Sequence, residues 1–423
     1  MPAKVSRIAL DEALSMLRAV TKPAPAVGCP TRLSVGCTLA EDVVAAEPYP
    51  KYHVSDKDGF GVPSALLKTA SKDRPTKLRV VGTCAPGVEP KVARRGASCV
   101  RILTGAYLPA WCDSVVMQED TVVDGANATF SQPAPVGANV YRAGSDVGRG
   151  ETIFRRGHVV GPQDAGLLMS CGIYDLKVAP RLKIGVLATG SELVERPSAM
   201  RQGKVLETNR AVLLSLLSGL GFSAHDGGLV KDDIATISKA IGGGAARYDA
   251  VITTGGSSVG GRDMVADAIE RLDGTKLFHG IRLRPSSTAG SALVNGRPVF
   301  VLSGLIQSSI VAVCSLVLPT LRHMQGLGGA GLATVQARLD RGVETTWSPS
   351  FARAIWVGLR VVKGGLHAKP FSVSSHSKRV ISEADGFFLA HGDVRLRAGS
   401  LVDVRLPFGF RAAVAPPDGG SKG

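Results

Sequence analysis

The sequence predicts an α/β multidomain protein in which a doubly wound parallel sheet is accompanied by β-rich modules. Three observations carry that prediction. From Arg181 onward, apolar β-prone runs alternate with stretches of helical periodicity, the pattern of successive βαβ units. The stretches from about residue 50 to 142 and from 327 to 406 instead hold short β-prone runs separated by Gly, Pro and Asp. Finally, 423 residues with 44% hydrophobic content, 51 Gly and 5% aromatics exceed one core and suit about two to four turn-rich domains.

Along the chain, Leu10 to Val20 reads as an amphipathic helix followed by a proline-rich link. The β-rich module of residues 49–142 takes its strands from Leu78–Val81, Ser114–Gln118 and Ala128–Phe130. A mixed segment follows to residue 180, helical at Asp164–Met169. The α/β unit of residues 181–326 starts with strand Lys183–Ala188 and helix Asn209–Leu220. Strand Ser223–Leu229, helix Ile234–Ile241 and strand Ala250–Thr254 come next, and strand Val299–Leu302 with helix Gln307–Gln325 completes it. After the glycine-rich stretch beginning at Gly326, alternating segments to Leu406 predict a small barrel or sandwich over residues 327–410, with a disordered tail over 411–423.

Lys and Arg number 50 against 35 Asp and Glu, a formal net charge of +15 that favours an anionic partner. The charge is scattered, with no basic run and no aromatic-basic interleaving, which argues against nucleic acid. Seven cysteines without a Cys-x-x-Cys pair point to reduced thiols and a cytoplasmic setting. The amino-terminal sequence leads into a polar amphipathic helix and does not read as a signal peptide. Pro298 to Leu321 is free of charge, but Ser303, Gly304, Gln307, Ser308 and Ser309 mark it as a buried strand-turn-helix and not a membrane span.

The most informative stretch is Asp249-Ala-Val-Ile-Thr-Thr-Gly-Gly-Ser-Ser-Val-Gly-Gly-Arg-Asp263, a strand, a glycine loop and a helix start. Backbone N–H groups in such a loop receive an anion, whereas the plainer reading is a turn that needs glycine for its φ angles. Ligands of open α/β sheets bind beyond the carboxyl ends of the strands. Three such ends carry acids, at Glu192, Asp232 and Asp263, and their predicted convergence beside an anion calls for a divalent cation such as Mg2+. Each acid read singly is a helix cap or a surface group. Polar turns also occur at His53–Gly61, Arg101–Ala106 and Ala143–Gly148.

Several short strings, in order along nearly the whole chain, resemble the MoeA family, the molybdopterin molybdenumtransferases that include the gephyrin E domain. Leu39-Ala-Glu-Asp-Val43, Ser55-Asp-Lys-Asp-Gly-Phe60, Arg101-Ile-Leu-Thr-Gly-Ala106 and Asp113-Ser-Val-Val-Met-Gln-Glu119 form the first part of that resemblance. Thr189-Gly-Ser-Glu-Leu193, Thr208-Asn-Arg210, Gly255-Gly-Ser-Ser-Val-Gly260 with Asp263, and Ala384-Asp-Gly386 form the second. The resemblance implies a MogA-like molybdopterin-binding sheet domain, a β-rich lid module, a discontinuous linking domain of residues 1–48 and 143–180, and a carboxy-terminal β-barrel. It implies a homodimer whose cleft joins the sheet domain of one subunit to the lid of the other. Other molybdenum-cofactor assembly proteins are candidate partners, with no nucleic acid and no membrane.

The implied reaction takes adenylylated molybdopterin and molybdate, releases AMP and inserts molybdenum with Mg2+ present. Carried onto matching positions, Asp58, Thr104, Asp146, Glu192, Asp232 and Asp263 are catalytic, with Glu192 and Asp263 on the metal. Thr189, Gly190, Ser191, Asn209, Gly255, Gly256, Ser257, Ser258, Gly260 and Arg284 bind the cofactor.

Two segments depart from the family pattern. Where the family commonly has Lys-Pro-Gly-Lys-Pro, this chain has Arg284-Pro-Ser-Ser-Thr288, so Arg284 keeps a cation while Ser287 replaces the second lysine. Where the family has Pro-Gly-Asn-Pro-x-Ser, the chain has Ser303-Gly-Leu-Ile-Gln-Ser308 and lacks both prolines. His53-Val54 also replaces the usual Asp-Asn ahead of Ser55. Losing a lysine at an oxyanion site removes a charge-assisted bond of about 1.5–3 kcal/mol. The chain is therefore expected to be an active transferase or a paralogue that binds a pterin cofactor without turnover or with a different oxyanion.

Overall fold

The computed structural model describes residues 7–255, 263–328, 331–345, 350–362, 364–371 and 377–409. It divides into two compact units, Val27–Val178 and the combination of Met1–Ala26 with Ala179–Gly423. The tail expected over residues 411–423 lies outside the described residues.

The unit Val27–Val178 is built on a six-stranded mixed sheet in the order Ser114–Met117, Gly59–Val62, Ser98–Ile102, Thr76–Cys84, Asn127–Phe130, Thr121–Asp124. Phe60, Val62, Leu78, Cys99 and Phe130 form one of its cores. Gly59 pairs with Ile102 and also runs beside Met117. A Cβ at Gly59 would lie 2.0 Å from the Val116 carbonyl oxygen, so only glycine fits at this crossing. Outside the sheet, Val27–Pro30 pairs with Asp175–Val178 and Val43–Val44 with Thr152–Phe154, alongside the helix Pro162–Ser170.

In the second unit, helix α1 (Leu10–Val20) buries Ala13 and Leu17 among Phe222, Ile252, Phe300 and Leu321. These residues fall in the same unit as Ala179–Gly423. Their apolar stripe is satisfied by the α/β core.

Strands β1 (Lys183–Thr189), β2 (Ser223–Val230), β3 (Ala250–Thr254), β4 (Thr275–His279), β5 (Gly290–Val294) and β6 (Arg297–Leu302) form a sheet in the order β2-β1-β3-β6-β5-β4. The first four positions are parallel, as predicted. β5 and β4 extend the edge as antiparallel strands that the sequence reading omits.

Helices α2 (Asn209–Gly219), α3 (Ile234–Arg247), α4 (Met264–Glu270), α5 (Ile306–Ala312) and α6 (Leu318–Met324) cover the sheet. Val251 enters the core with α3 and α4, while its neighbour Ile252 enters the core with α5 and α6. Both faces being covered explains the unbroken apolar run of β3. The predicted single helix Gln307–Gln325 is two α-helices joined by a π-helical stretch at Val313–Val317. Pro319 has no N–H to continue the ladder, and the turn ahead of it widens. No described helix is long and apolar enough to cross a membrane.

The carboxy-terminal segment resolves the barrel-or-sandwich alternative as a barrel. Ala352–Val362 pairs with Gly365–Pro370, which pairs with Thr334–Leu339, then Leu401–Arg405, then Gly386–His391, which returns to Ala352–Val362. Ile355, Val357, Phe388 and Val404 fill its interior. Leu283–Arg284 joins the first of these strands in parallel, placing Arg284 opposite Arg353.

Candidate functional site

At the carboxyl ends of β1, β3 and β6, a cavity of about 260 Å³ is lined by Thr189, Glu192, Glu207, Asn209, Gly255, Leu305 and Lys378, among others. Each wall has a local cause. Gly255 stands at φ +89°, where an added Cβ would lie 2.2 Å from the Thr189 carbonyl oxygen, and its N–H donates to Leu302 O at 3.1 Å. Asn209 Nδ2 donates to Gly304 O at 2.7 Å, tying the start of α2 to the turn after β6. Gly190 N donates to Val230 O, so the turn after β1 is anchored on β2. Thr189 is 2% exposed, and its hydroxyl has no hydrogen-bond partner among the described residues.

Ser191 and Asp232 clasp each other, Ser191 N donating to Asp232 Oδ2 at 2.9 Å and Asp232 N to Ser191 Oγ at 3.2 Å. Lys204 Nζ donates to Ser191 O at 2.7 Å, a further tie on the same turn. Arg210, 8% exposed at its side chain, lies 3.2 Å from Glu207 and 3.0 Å from Asp226, and also pairs with Glu195. Burial works against its charge, but these three carboxylates raise its pKa above the ordinary value.

The structure does not gather Glu192, Asp232 and Asp263 at one point, which corrects the predicted convergence. Asp232 is used on Ser191. Asp263 caps α4 by accepting from Ala266 N at 3.0 Å, and its other oxygen stands 3.3 Å from His279 Nδ1. It lines a different cavity, of about 480 Å³, beside β4 and β5. Among the described residues no three His, Cys, Asp or Glu side chains are grouped to ligate one metal ion. The donor set here therefore suits Mg2+ only where a ligand's own oxygens complete the shell. Gly256, Ser257, Ser258 and Gly260 lie outside the described residues.

A second cavity, of about 500 Å³, shares Leu305 with the first and is lined by Arg284, Ser287, Thr288, Ser303, Arg353 and Trp356, among others. The Arg284 guanidinium lies 5.7 Å from the centre of the Phe351 ring. Hydrogen bonds from serines fix the turn that lacks the two prolines. Leu305 N donates to Ser303 Oγ at 3.2 Å, Ser309 Oγ to Ser303 O at 2.5 Å, and Ser286 Oγ to Ser308 O at 2.7 Å.

In the unit Val27–Val178, Asp58 and Thr104 meet. Asp58 Oδ1 accepts from Thr104 N at 2.6 Å and from Thr104 Oγ1 at 2.8 Å. The Thr104 backbone N–H, then its hydroxyl, hold the Asp58 carboxyl below the ordinary aspartate range, with Arg101 contributing. Asp58 is thus a carboxylate at neutral pH, suited to ligate a cation or accept hydrogen bonds and unsuited to act as a general acid. Asp146 instead lies beside Tyr141, whose pKa rises through burial and then the Asp146 charge, and Tyr141 pairs with Val54 on the strand leading toward Asp58.

The sequence reading missed Glu207, Arg353 and Lys378. The last two come from the barrel segment, and nothing in their local pattern marks them.

The description "MoeA N-terminal region (domain I and II)" fits residues 8–172, and "Probable molybdopterin binding domain" fits residues 185–323. A molybdopterin molybdenumtransferase of Staphylococcus aureus (strain COL) is 27% identical over 405 residues, 95% of this chain and 96% of its own. One from Staphylococcus epidermidis (strain ATCC 12228 / FDA PCI 1200) is 26% identical over 381 residues, 88% and 89% of the two chains. The crystal structure of a molybdopterin biosynthesis MoeA protein from Pyrococcus horikosii superposes with a TM-score of 0.82 at 26% identity, covering 96% of this chain and 100% of that one.

Proposed function

The chain belongs to the MoeA family, and from that premise we propose that it inserts molybdenum from molybdate into adenylylated molybdopterin with release of AMP, in a Mg2+-dependent reaction. The observation that carries this reading is the cavity at the ends of β1, β3 and β6, where Thr189, Glu192, Asn209 and Gly255 converge. These are positions at which the chain resembles the family, and they occupy the place where sheets of this type hold ligands.

In this reading, Asn209 and the Thr189 hydroxyl bind the pterin phosphate. Glu192 is the residue that would hold Mg2+, which when bound would supply charge screening at the anhydride. Water adds to one phosphorus, and AMP departs with the electron pair of the broken P–O bond. The proton that this water loses passes to solvent, and Asp58, kept ionised by Thr104, is counted among the catalytic residues from the family resemblance alone.

Purified protein given adenylylated molybdopterin, molybdate and Mg2+ is expected to release AMP, and Glu192→Ala to reduce that rate by roughly a hundredfold or more. Absence of AMP release at every molybdate concentration would overturn the reading. A second reading, a paralogue that binds the pterin without turnover, is favoured by the hydroxyls of Ser287, Thr288 and Ser303 in the larger cavity where the family carries a lysine and two prolines. Tight molybdopterin binding in calorimetry without AMP release would select it. We further propose a homodimer, expected to scatter light as a particle of twice the 43.9 kDa chain mass, and a monomeric mass would remove that proposal.

A further inference from the structure

We propose that Lys378, contributed by the barrel segment, is the cation that receives the ligand's phosphate in the smaller cavity. This rests on the functional reading above. Among the described residues lining that cavity, Lys378 alone is basic, while Glu192 and Glu207 are acidic. A pyrophosphate entering there meets two carboxylates. Arg210 neutralises one of them, Glu207, through a 3.2 Å pair. The charge of the incoming anion then has to be met by a protein cation, alongside any Mg2+ that Glu192 would hold.

Lys378 is held in place for that task. Its Nζ donates to Thr208 Oγ1 at 2.8 Å, across 170 residues of sequence. Thr208 takes one of the three ammonium donors and leaves the others for phosphate oxygens. The preceding residue is tethered too, because Gln307 Nε2 of α5 donates to Ser377 O at 2.7 Å. Val380 and Ile381 pack the helix Lys378–Glu383 onto the core shared with α5. The ammonium group thus sits on a docked element, and its site adjoins, through Leu305, the cavity where Ser287 stands in place of the family's second lysine. The chain supplies from the barrel a charge that its 284–288 segment lacks.

The test titrates the full chain and the variants Lys378→Met, Lys378→Gln and Lys378→Arg by calorimetry with adenylylated molybdopterin and, separately, inorganic pyrophosphate. Lys378→Met and Lys378→Gln are expected to bind the adenylate roughly tenfold or more weakly, about 1.4 kcal/mol at 25 °C, whereas Lys378→Arg stays within about threefold of wild type. Because Lys378 is exposed, melting temperatures should not move. Wild-type affinity of both neutral variants for both probes overturns the assignment. Lysine-dependent pyrophosphate binding by a chain that does not bind the adenylate retains Lys378 as a phosphate ligand and removes the functional reading. Failure of the wild-type chain to bind either probe overturns both.

Discussion

Gly255→Ala is expected to abolish ligand binding at the strand-end cavity and to destabilise the α/β unit. The obstacle to the new methyl group is the Thr189 carbonyl oxygen at 2.2 Å, which belongs to the backbone of the neighbouring strand and cannot rotate away. β1 and β3 are locked in register up to Ala188 and Thr254, so relief requires their ends to part. The left-handed φ adds roughly 1–2 kcal/mol, and with the clash the total loss of stability should reach about 3 kcal/mol. Parting the strand ends moves Thr189 and the turn that carries Glu192, and a shift of about 1 Å in a reacting group is enough for a loss on the order of a hundredfold in rate. Gly296→Ala provides the control. Gly296 stands at φ +72° with nothing within 4 Å of an added Cβ, so it should show the conformational penalty alone and normal AMP release. Denaturant unfolding and AMP release together check the pair, and a Gly255→Ala protein indistinguishable from Gly296→Ala would refute the steric argument.

The parts of this molecule legible in its sequence are those governed by local pattern. The strands that end at Thr189, Thr254 and Leu302 are runs of apolar residues buried on both faces, and glycine or serine marks where each stops. The edge strand Thr275–His279 escaped notice because partial exposure breaks its apolar pattern with Lys276 and His279, and its neighbour Gly290–Val294 because Gly290 and the buried Ser291 interrupt a run of only five residues. The acids at the strand ends were legible as acids but not as a constellation. Asp263 is claimed by the cap it makes three residues on, the ordinary behaviour of aspartate at a helix start, and Asp232 by Ser191, 41 residues away on the turn after β1. The pairing of Asp58 with Thr104 spans 46 residues and follows from strand register, with Gly59 opposite Ile102. Residue type alone gives no access to it, and family motifs did. Lys378 and Arg353 reach the cavities only because the barrel docks against α5 and receives Leu283–Arg284 as an added strand. Such long-range placement leaves no trace in local periodicity.

Arg210→Met is expected to lower the stability of the α/β unit by about 3 kcal/mol, toward the lower end of what removing one partner of a buried ion pair costs. The magnitude is set by Glu207, whose side chain is 5% exposed and would be left as a buried carboxylate. Glu195 and Asp226 are more than half exposed and add little of their own, since water screens them. A loss of that size corresponds to a fall in melting temperature of roughly 6–12 °C. Glu207→Gln in the Arg210→Met background should recover much of it, because the amide fills the same volume without an unpaired charge. Arg210→Lys should fall between, since a point charge cannot span carboxylates presented by the turn after β1, by β2 and by the residues ahead of α2. Ligand affinity should follow the same order. Glu207, Thr208 and Asn209 lead directly into Arg210 and line the cavity, so a wall that loses this tie presents Asn209 and Thr208 in the wrong place. Thermal melts of the single variants and of the double variant decide the matter. Equal melting of Arg210→Met and wild type, or no recovery on adding Glu207→Gln, would show that the buried charge is not what Arg210 balances.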